Sequence, residues 1–402
     1  MAVRQACEAA AETLGEARPD LVFVFISSHH IEHAGEIADS IRRRLDPRCL
    51  IGVSAGSVLG GVSELEDTPG ISILAASAPG LWIHTFTGRD LPKPDSPRSE
   101  MAEALGVYDD KDATIVFADP FSAPLVKMLP AMTDASPGVI VGGLASGADK
   151  PGGNALFLDD RVLDSGLVGV SIRGPLRVDA VVSQGCRAVG PNMIVTKARA
   201  NLVQQLGGRP AITVVQEVIH GLDEPQRELL QNGLYLGLVR DEYRERFGRG
   251  DYLIRNVMAA DEKTGALAIG ELMRTGQTVR LHVRDAQTAT EDLEMLLDAQ
   301  KLHEPPIGAL LLTCNSRGRE LFGESHRDVK AISRAFAPLM GGEEMAKGGQ
   351  PIDSNAPALP LAGFFAAGEI GPVGDTSYLH AHSACLALFR ATRRRVGAPP
   401  RG

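Results

Sequence analysis

The hydrophobic positions of the chain fall into short aliphatic blocks separated by amphipathic stretches. "LVFVFISS" (21–28) is followed by a helical pattern near 31–45 and then by "CLIGVSAGS" (49–57). The outline returns in "ATIVFADP" (113–120), a helical pattern near 121–135 and "VIVGGLASG" (139–147). It returns again in "IGALLLTCNSRG" (307–318), a helical pattern near 325–338 and "LAGFFAAGEIG" (361–371). Each unit reads strand, helix, strand, small-residue loop. One more apolar run follows each: "GISILAAS" (70–77), "NALFLDD" (154–160) and "HSACLALF" (382–389). Uninterrupted aliphatic strands alternating with helices predict parallel pairing in helix-covered sheets. The expected fold class is α/β: two tandem domains of mixed, largely parallel sheets built from repeated strand–helix–strand–glycine-loop units.

Residues 165–219 read differently, as antiparallel strands and then a helix from about 210. A helical pattern over 222–232 and further strands with turns near 261–265 and 275–277 come next. The spacing predicts a helical extension at 1–19, a first domain at 20–218, a second at 219–392 and a flexible basic tail at 393–402. The glycine- and charge-rich stretch 340–360 reads as a flexible loop in the third unit.

Composition narrows the function. Net charge is −9, so neither nucleic acid nor an anionic membrane surface is an expected partner. The basic runs Arg42–Arg44 and Arg393–Arg395 read as solvated ends. No stretch of about 18 uncharged apolar residues offers a membrane span. The N-terminus lacks a signal-peptide layout. The five cysteines include no Cys-x-x-Cys, so reduced cytoplasmic thiols are expected.

Gly52-Val53-Ser54-Ala55-Gly56 fits the Gly-x-Ser-x-Gly of a nucleophile elbow. An elbow needs a helix after the serine, whereas Gly60 and Gly61 follow here. Ser54 therefore reads as part of a glycine-lined loop. No Gly-x-Gly-x-x-Gly follows a strand and no P-loop occurs, so no nucleotide cofactor is expected. His29, His30, His33, His380 and His382 have no carboxylates at metal-site spacing, so no metal is assigned.

Several ordered stretches resemble the FIST family, tandem domains named for F-box and intracellular signal transduction proteins. They are "IVGGLASG" (140–147), "VDAVVSQGCRAVG" (178–190), "GRPAITVVQEV" (208–218), "GDYLIRNVMAAD" (250–261), "GQTVRLHVRDA" (276–286), "CNSRGRELFGE" (314–324) and "LAGFFAAGEIGPVG" (361–374). Ser316 stands where the family's Cys-x-Gly-Arg-Gly has glycine. Ser54-Ala55-Gly56-Ser57 differs from the cysteine or threonine first, glutamate later, of the family loop. The resemblance implies a small-ligand sensory module for amino acids or related metabolites, reporting to an unknown signalling partner. It implies no established reaction, and no catalytic residue is assigned. With no attached F-box, kinase or DNA-binding segment, the chain reads as the sensory module alone.

The expected ligand site gathers Gly142, Gly143 and Ser146 of the second loop, Cys186, Arg255 and Asn256, Cys314, Asn315 and Arg317, and Gly368 and Glu369 of the third loop. Cys314, ahead of a helix and Arg317, would have its thiolate favoured; a small core residue is the other reading. Arg317 and Arg255 offer carboxylate forks, or internal ion pairs, Arg255 with Glu369 or Asp251. Glu369 is a candidate ammonium acceptor or a structural acceptor of loop N–H groups. A thiol- or metal-dependent enzyme and a ligand-free scaffold remain the alternatives.

Overall fold

The computed structural model describes residues 2–337 and 359–392. All but the last two residues of the loop expected at 340–360, and all of the tail expected at 393–402, lie outside the described residues. The fold is α/β with four mixed or antiparallel sheets. The three repeated units each form a parallel pair: Leu21–Ser27 with Cys49–Ala55, Ala113–Ala118 with Val139–Leu144, and Gly308–Cys314 with Leu361–Ala366. Helices Ala34–Leu45, Leu125–Ala135 and Arg327–Ala335 make the crossovers. Arg42–Arg44 occupy the last turn of the first, where cations complement the helix dipole.

Parallel pairing is confined to these pairs, because of where the chain goes next. After each unit a hairpin leaves for another unit's sheet. Val58–Gly60 of the first unit pairs with Leu361–Ala366 of the third. Leu156–Leu158 of the second pairs with Cys49–Ala55 of the first. Glu369–Val373 of the third pairs with Val139–Leu144 of the second. The exchange is cyclic. The strand after each hairpin then returns antiparallel to its own unit: Ile71–Ala76, Leu167–Arg173 and Ser383–Ala391.

The glycine loops meet one another where the hairpins cross. Gly56 N–H donates to Ser146 Oγ at 3.0 Å, Ser146 Oγ donates to Phe365 O, and Phe365 N–H donates to Ser57 O at 3.0 Å. Beneath them Phe25, Phe117 and Phe364 form a triangle, with centroids 5.5, 5.8 and 5.0 Å apart in turn. One glycine recurs in each parallel pair, Gly52 beside Val24, Gly142 beside Val116 and Gly363 beside Leu311. A Cβ on them would lie 1.7, 1.8 and 1.8 Å from the neighbouring strand's carbonyl oxygen. These glycines are required by close backbone approach.

The fourth sheet is antiparallel and seven-stranded, in the order Cys186–Arg199, Thr278–Arg284, Leu234–Val239, Tyr252–Asp261, Ala266–Ile269, Leu202–Leu206, Arg209–Pro210. Its strands lie on both sides of residue 218. Helix Ala211–His220 buries Ala211 and Val215 in its core with Val203 and Leu236. Strand Leu176–Gln184 instead joins the third unit's sheet, beside Ser383–Ala391.

Candidate functional site

The seven-stranded sheet and the repeated units border a cleft of about 1440 Å³. Its walls include Arg240, Arg255, Asn256 and Glu271 from the sheet side, and Gly368 and Tyr378 from the hairpin of the third unit. The expected site residues divide among three surroundings. Gly142 and Gly143 lie in the strand beside Ile370 and Glu369, and Ser146 sits in the loop crossing, so all three hold the fold together. Arg255, Asn256 and Gly368 reach the cleft. Cys186, Cys314, Arg317 and Glu369 are buried behind it, and Asn315 is exposed.

Arg317 is not a free anion anchor. It is 1% exposed, and its Nε and Nη2 donate to Asp328 at 2.8 Å each. Asp328 stands in the first turn of helix Arg327–Ala335. Arg255 pairs with Glu271, Nη2 to Oε2 at 2.9 Å, rather than with Glu369 or Asp251. Glu271 arrives through the neighbouring strand Ala266–Ile269, a partner that sequence spacing does not mark. The Arg187 guanidinium beside Cys186 pairs with Asp285, and Gln184 donates to Tyr252 O.

The expected thiolate at Cys314 is reversed. Only a short helix, Arg319–Phe322, follows, and the Arg317 charge is spent on Asp328. Burial first, then the neighbouring Glu369 charge, pushes the Cys314 thiol up to about 11. It contacts Ser316 Oγ at 3.1 Å. Ser316 Oγ is 3.1 Å from His382 Nδ1, and His382 Nε2 is 2.9 Å from Asn256 Oδ1 at the cleft wall. A polar chain thus links the buried thiol to the cleft.

Glu369 is fully buried. Its Oε2 accepts from Ser383 N–H at 3.2 Å and Ser383 Oγ at 2.7 Å, and its Oε1 has no partner among the described residues. Burial outweighs these bonds and the nearby Arg317 charge and pushes the carboxyl up to about 8. The sign for stability follows from proton binding. The folded protein holds this proton more tightly than the unfolded chain. The stabilisation is complete below about pH 4.5, falls as pH rises towards about 8, and is gone above. Glu369→Gln removes that slope. Melts from pH 5 to 9 should show the variant gaining on the wild type as pH rises; parallel curves would exclude a raised Glu369.

Sequence spacing alone did not find Arg240 and Tyr378. The Arg240 guanidinium lies 4.1 Å from the Tyr378 ring centroid and its Nη2 donates to Tyr378 Oη at 2.7 Å, across the cleft. Arg240 has no carboxylate partner among the described residues. Their distance along the chain hides the pair.

The remaining candidates are structural. A strand, Val58–Gly60, follows Ser54, and Ser54 Oγ accepts from Ala155 N–H at 2.9 Å and donates to Asn154 Oδ1 at 3.3 Å. His29, His30 and His33 lie in a 3-10 turn, and His380 Nε2 bonds Gly371 O at 3.0 Å. Among the described residues no three His, Cys, Asp or Glu side chains gather as a metal site.

Both halves of the chain match family models. A FIST N domain matches residues 20–209 and a FIST C domain matches residues 211–372. The chain belongs to the FIST family. FIST domains are sensory modules of signal transduction. An uncharacterized protein of Mycobacterium tuberculosis is 38% identical to this FIST protein over 401 residues, 96% of each chain. An uncharacterized protein of Mycobacterium bovis is 36% identical over 395 residues, 96% of this chain and 95% of the relative. The junction of the two domains, 209 to 211, falls inside the seven-stranded sheet. Among the described residues no helix is long and apolar enough to cross a membrane.

Proposed function

We propose that this FIST protein binds a small zwitterionic metabolite of the amino-acid class in the cleft and passes its occupancy to a downstream protein in the cytoplasm. The observation that carries the reading is Arg240. It is a guanidinium without a carboxylate partner among the described residues, held by Tyr378 in the wall of the cleft. Such a fork is preorganised for a ligand carboxylate. Glu271, whose Oε2 accepts from Arg255 and whose Oε1 accepts from Leu272 N–H at 3.1 Å, is the carboxylate of the cleft wall that an ammonium group would approach. Opposite charges in one concave site favour a ligand bearing both. The cleft is lined by the seven-stranded sheet and by the hairpin of the third unit, so a ligand touching both would favour the conformations in which both contact it, which is a physical basis for signalling.

A thermal-shift screen with amino acids, their deaminated and decarboxylated analogues, and zinc tests this. A binder at 100 times its dissociation constant adds about 2.7 kcal/mol of stability. The expected result is a shift from one or more amino acids and a smaller one from the analogue lacking either charge. A shift from zinc alone, or from nothing, contradicts the reading.

A further inference from the structure

Ser316, His382 and Asn256 come from three distant places. Ser316 follows strand Gly308–Cys314, His382 lies in the turn between strands Thr376–His380 and Ser383–Ala391, and Asn256 is in strand Tyr252–Asp261. Asn256 Oδ1 can only accept a hydrogen bond, so it fixes the imidazole proton on Nε2. The Nδ1 lone pair then faces the Ser316 hydroxyl. A hydroxyl, a base for its proton and a group that orients the base are the parts of an activated serine. We propose that Ser316 is a nucleophile, with His382 as its general base and Asn256, at the cleft wall, as its positioning residue, for acyl transfer from small carboxylic esters.

The surroundings support each role. His382 adopts φ +61°, a left-handed conformation that a histidine holds only when its surroundings over-determine it. They do so here: the Tyr235 ring lies 4.4 Å from the imidazole, and Gly185 N–H donates to His382 O at 3.0 Å. A Cβ at Gly185 would sit 2.8 Å from that oxygen, so the turn closes only against glycine. Burial and the Arg284 charge push the imidazole down to about 4, so it is neutral at neutral pH with its Nδ1 lone pair unprotonated. Arg284 Nη2 donates to Ser316 O. Arg284 also pairs with Glu320, Nη1 to Oε1 at 3.0 Å, and its buried Nε has no partner among the described residues, so the guanidinium is fixed against the Ser316 backbone. Cys314, its thiol kept protonated by burial, lies 3.1 Å from Ser316 Oγ.

The reaction balances without a redox partner. Ser316 Oγ bonds to the ester carbonyl carbon as its proton passes to His382 Nδ1. The tetrahedral oxyanion collapses, the bond to the alcohol oxygen breaks, and the alcohol leaves with the proton from His382. Water, deprotonated by His382 in turn, attacks the acyl-serine. The carboxylic acid departs and the Ser316 hydroxyl is restored. This activity goes beyond ligand sensing and does not rest on it.

The test uses the full chain, a fluorophosphonate probe and p-nitrophenyl acetate. We expect one phosphonate adduct on the peptide carrying Ser316. Turnover should fall to the buffer rate in Ser316→Ala. His382→Asn, which tolerates the left-handed turn, should lower kcat by roughly 10²-fold or more, the range for a lost general base. Asn256→Leu should lower kcat, and Asn256→Asp should restore most of it, which a purely structural role would not require. An adduct on Cys314 alone, no adduct at all, or unchanged turnover in Ser316→Ala overturns the proposal. Should Ser316→Ala fail to fold, wild-type labelling still decides. Amino-acid binding in the thermal-shift screen is scored separately, so either reading can fail alone.

Discussion

Gly142→Ala is expected to be severely destabilised, and so are Gly52→Ala and Gly363→Ala. In each case the new methyl would fall within 1.8 Å of a backbone carbonyl on the paired strand. A side chain can rotate away from such a clash; a strand fixed by its ladder and by the helix packed on it cannot. Relief requires the two parallel strands to separate, which breaks their hydrogen bonds and opens the phenylalanine triangle. The loss should exceed about 4 kcal/mol, the upper range for a single substitution. Gly35→Ala is the matched control. Gly35 lies in helix Ala34–Leu45, and its Cβ would meet nothing within 4 Å. That substitution should stabilise by about 1 kcal/mol, the helix propensity difference. Urea unfolding followed by circular dichroism measures both. A well-folded Gly142→Ala with wild-type stability would mean that the paired strands do not approach as described.

Arg317→Met is expected to lower stability, measured by urea unfolding, by about 3–5 kcal/mol, as removal of one partner from a buried ion pair does. Asp328 would keep Thr313 Oγ1, at 3.2 Å, but lose both guanidinium bonds while staying 2% exposed. The penalty comes from the stranded carboxylate more than from the lost attraction. Arg317→Met combined with Asp328→Leu should therefore recover most of the loss. A single variant within about 1 kcal/mol of wild type, or a double variant no better than the single, would contradict a buried pair.

The three units were legible in the chain because each carries two aliphatic strands and a crossover helix of ordinary length. The cyclic exchange between them was not. Val58–Gly60 is a three-residue strand whose partners lie 302 to 306 residues away, and nothing local names them. The same limit governs the site. Cys314 and Glu369 were readable as residues at strand ends facing glycine loops, yet the sign of the electrostatics at Cys314 depends on burial and on Asp328 taking up the Arg317 charge. Arg255 was legible as a charge within an apolar strand that needs a partner. Its partner, Glu271, is set by an antiparallel register with a bulge between Val257 and Ala259. His382 invited a metal reading by its spacing from His380. The turn separates the two, sending His380 to Gly371 O and His382 to Ser316 and Asn256.

Calorimetric titration of the strongest amino-acid hit into wild type and Arg240→Met tests the sensory reading most directly. Arg240 is exposed and outside the core, so the variant should keep its melting temperature. Charged hydrogen bonds contribute about 1.5–3 kcal/mol. The variant should therefore bind at least tenfold more weakly, with one site per chain in wild type. Equal affinity in the two proteins would place the ligand elsewhere and contradict the cleft as the sensory site.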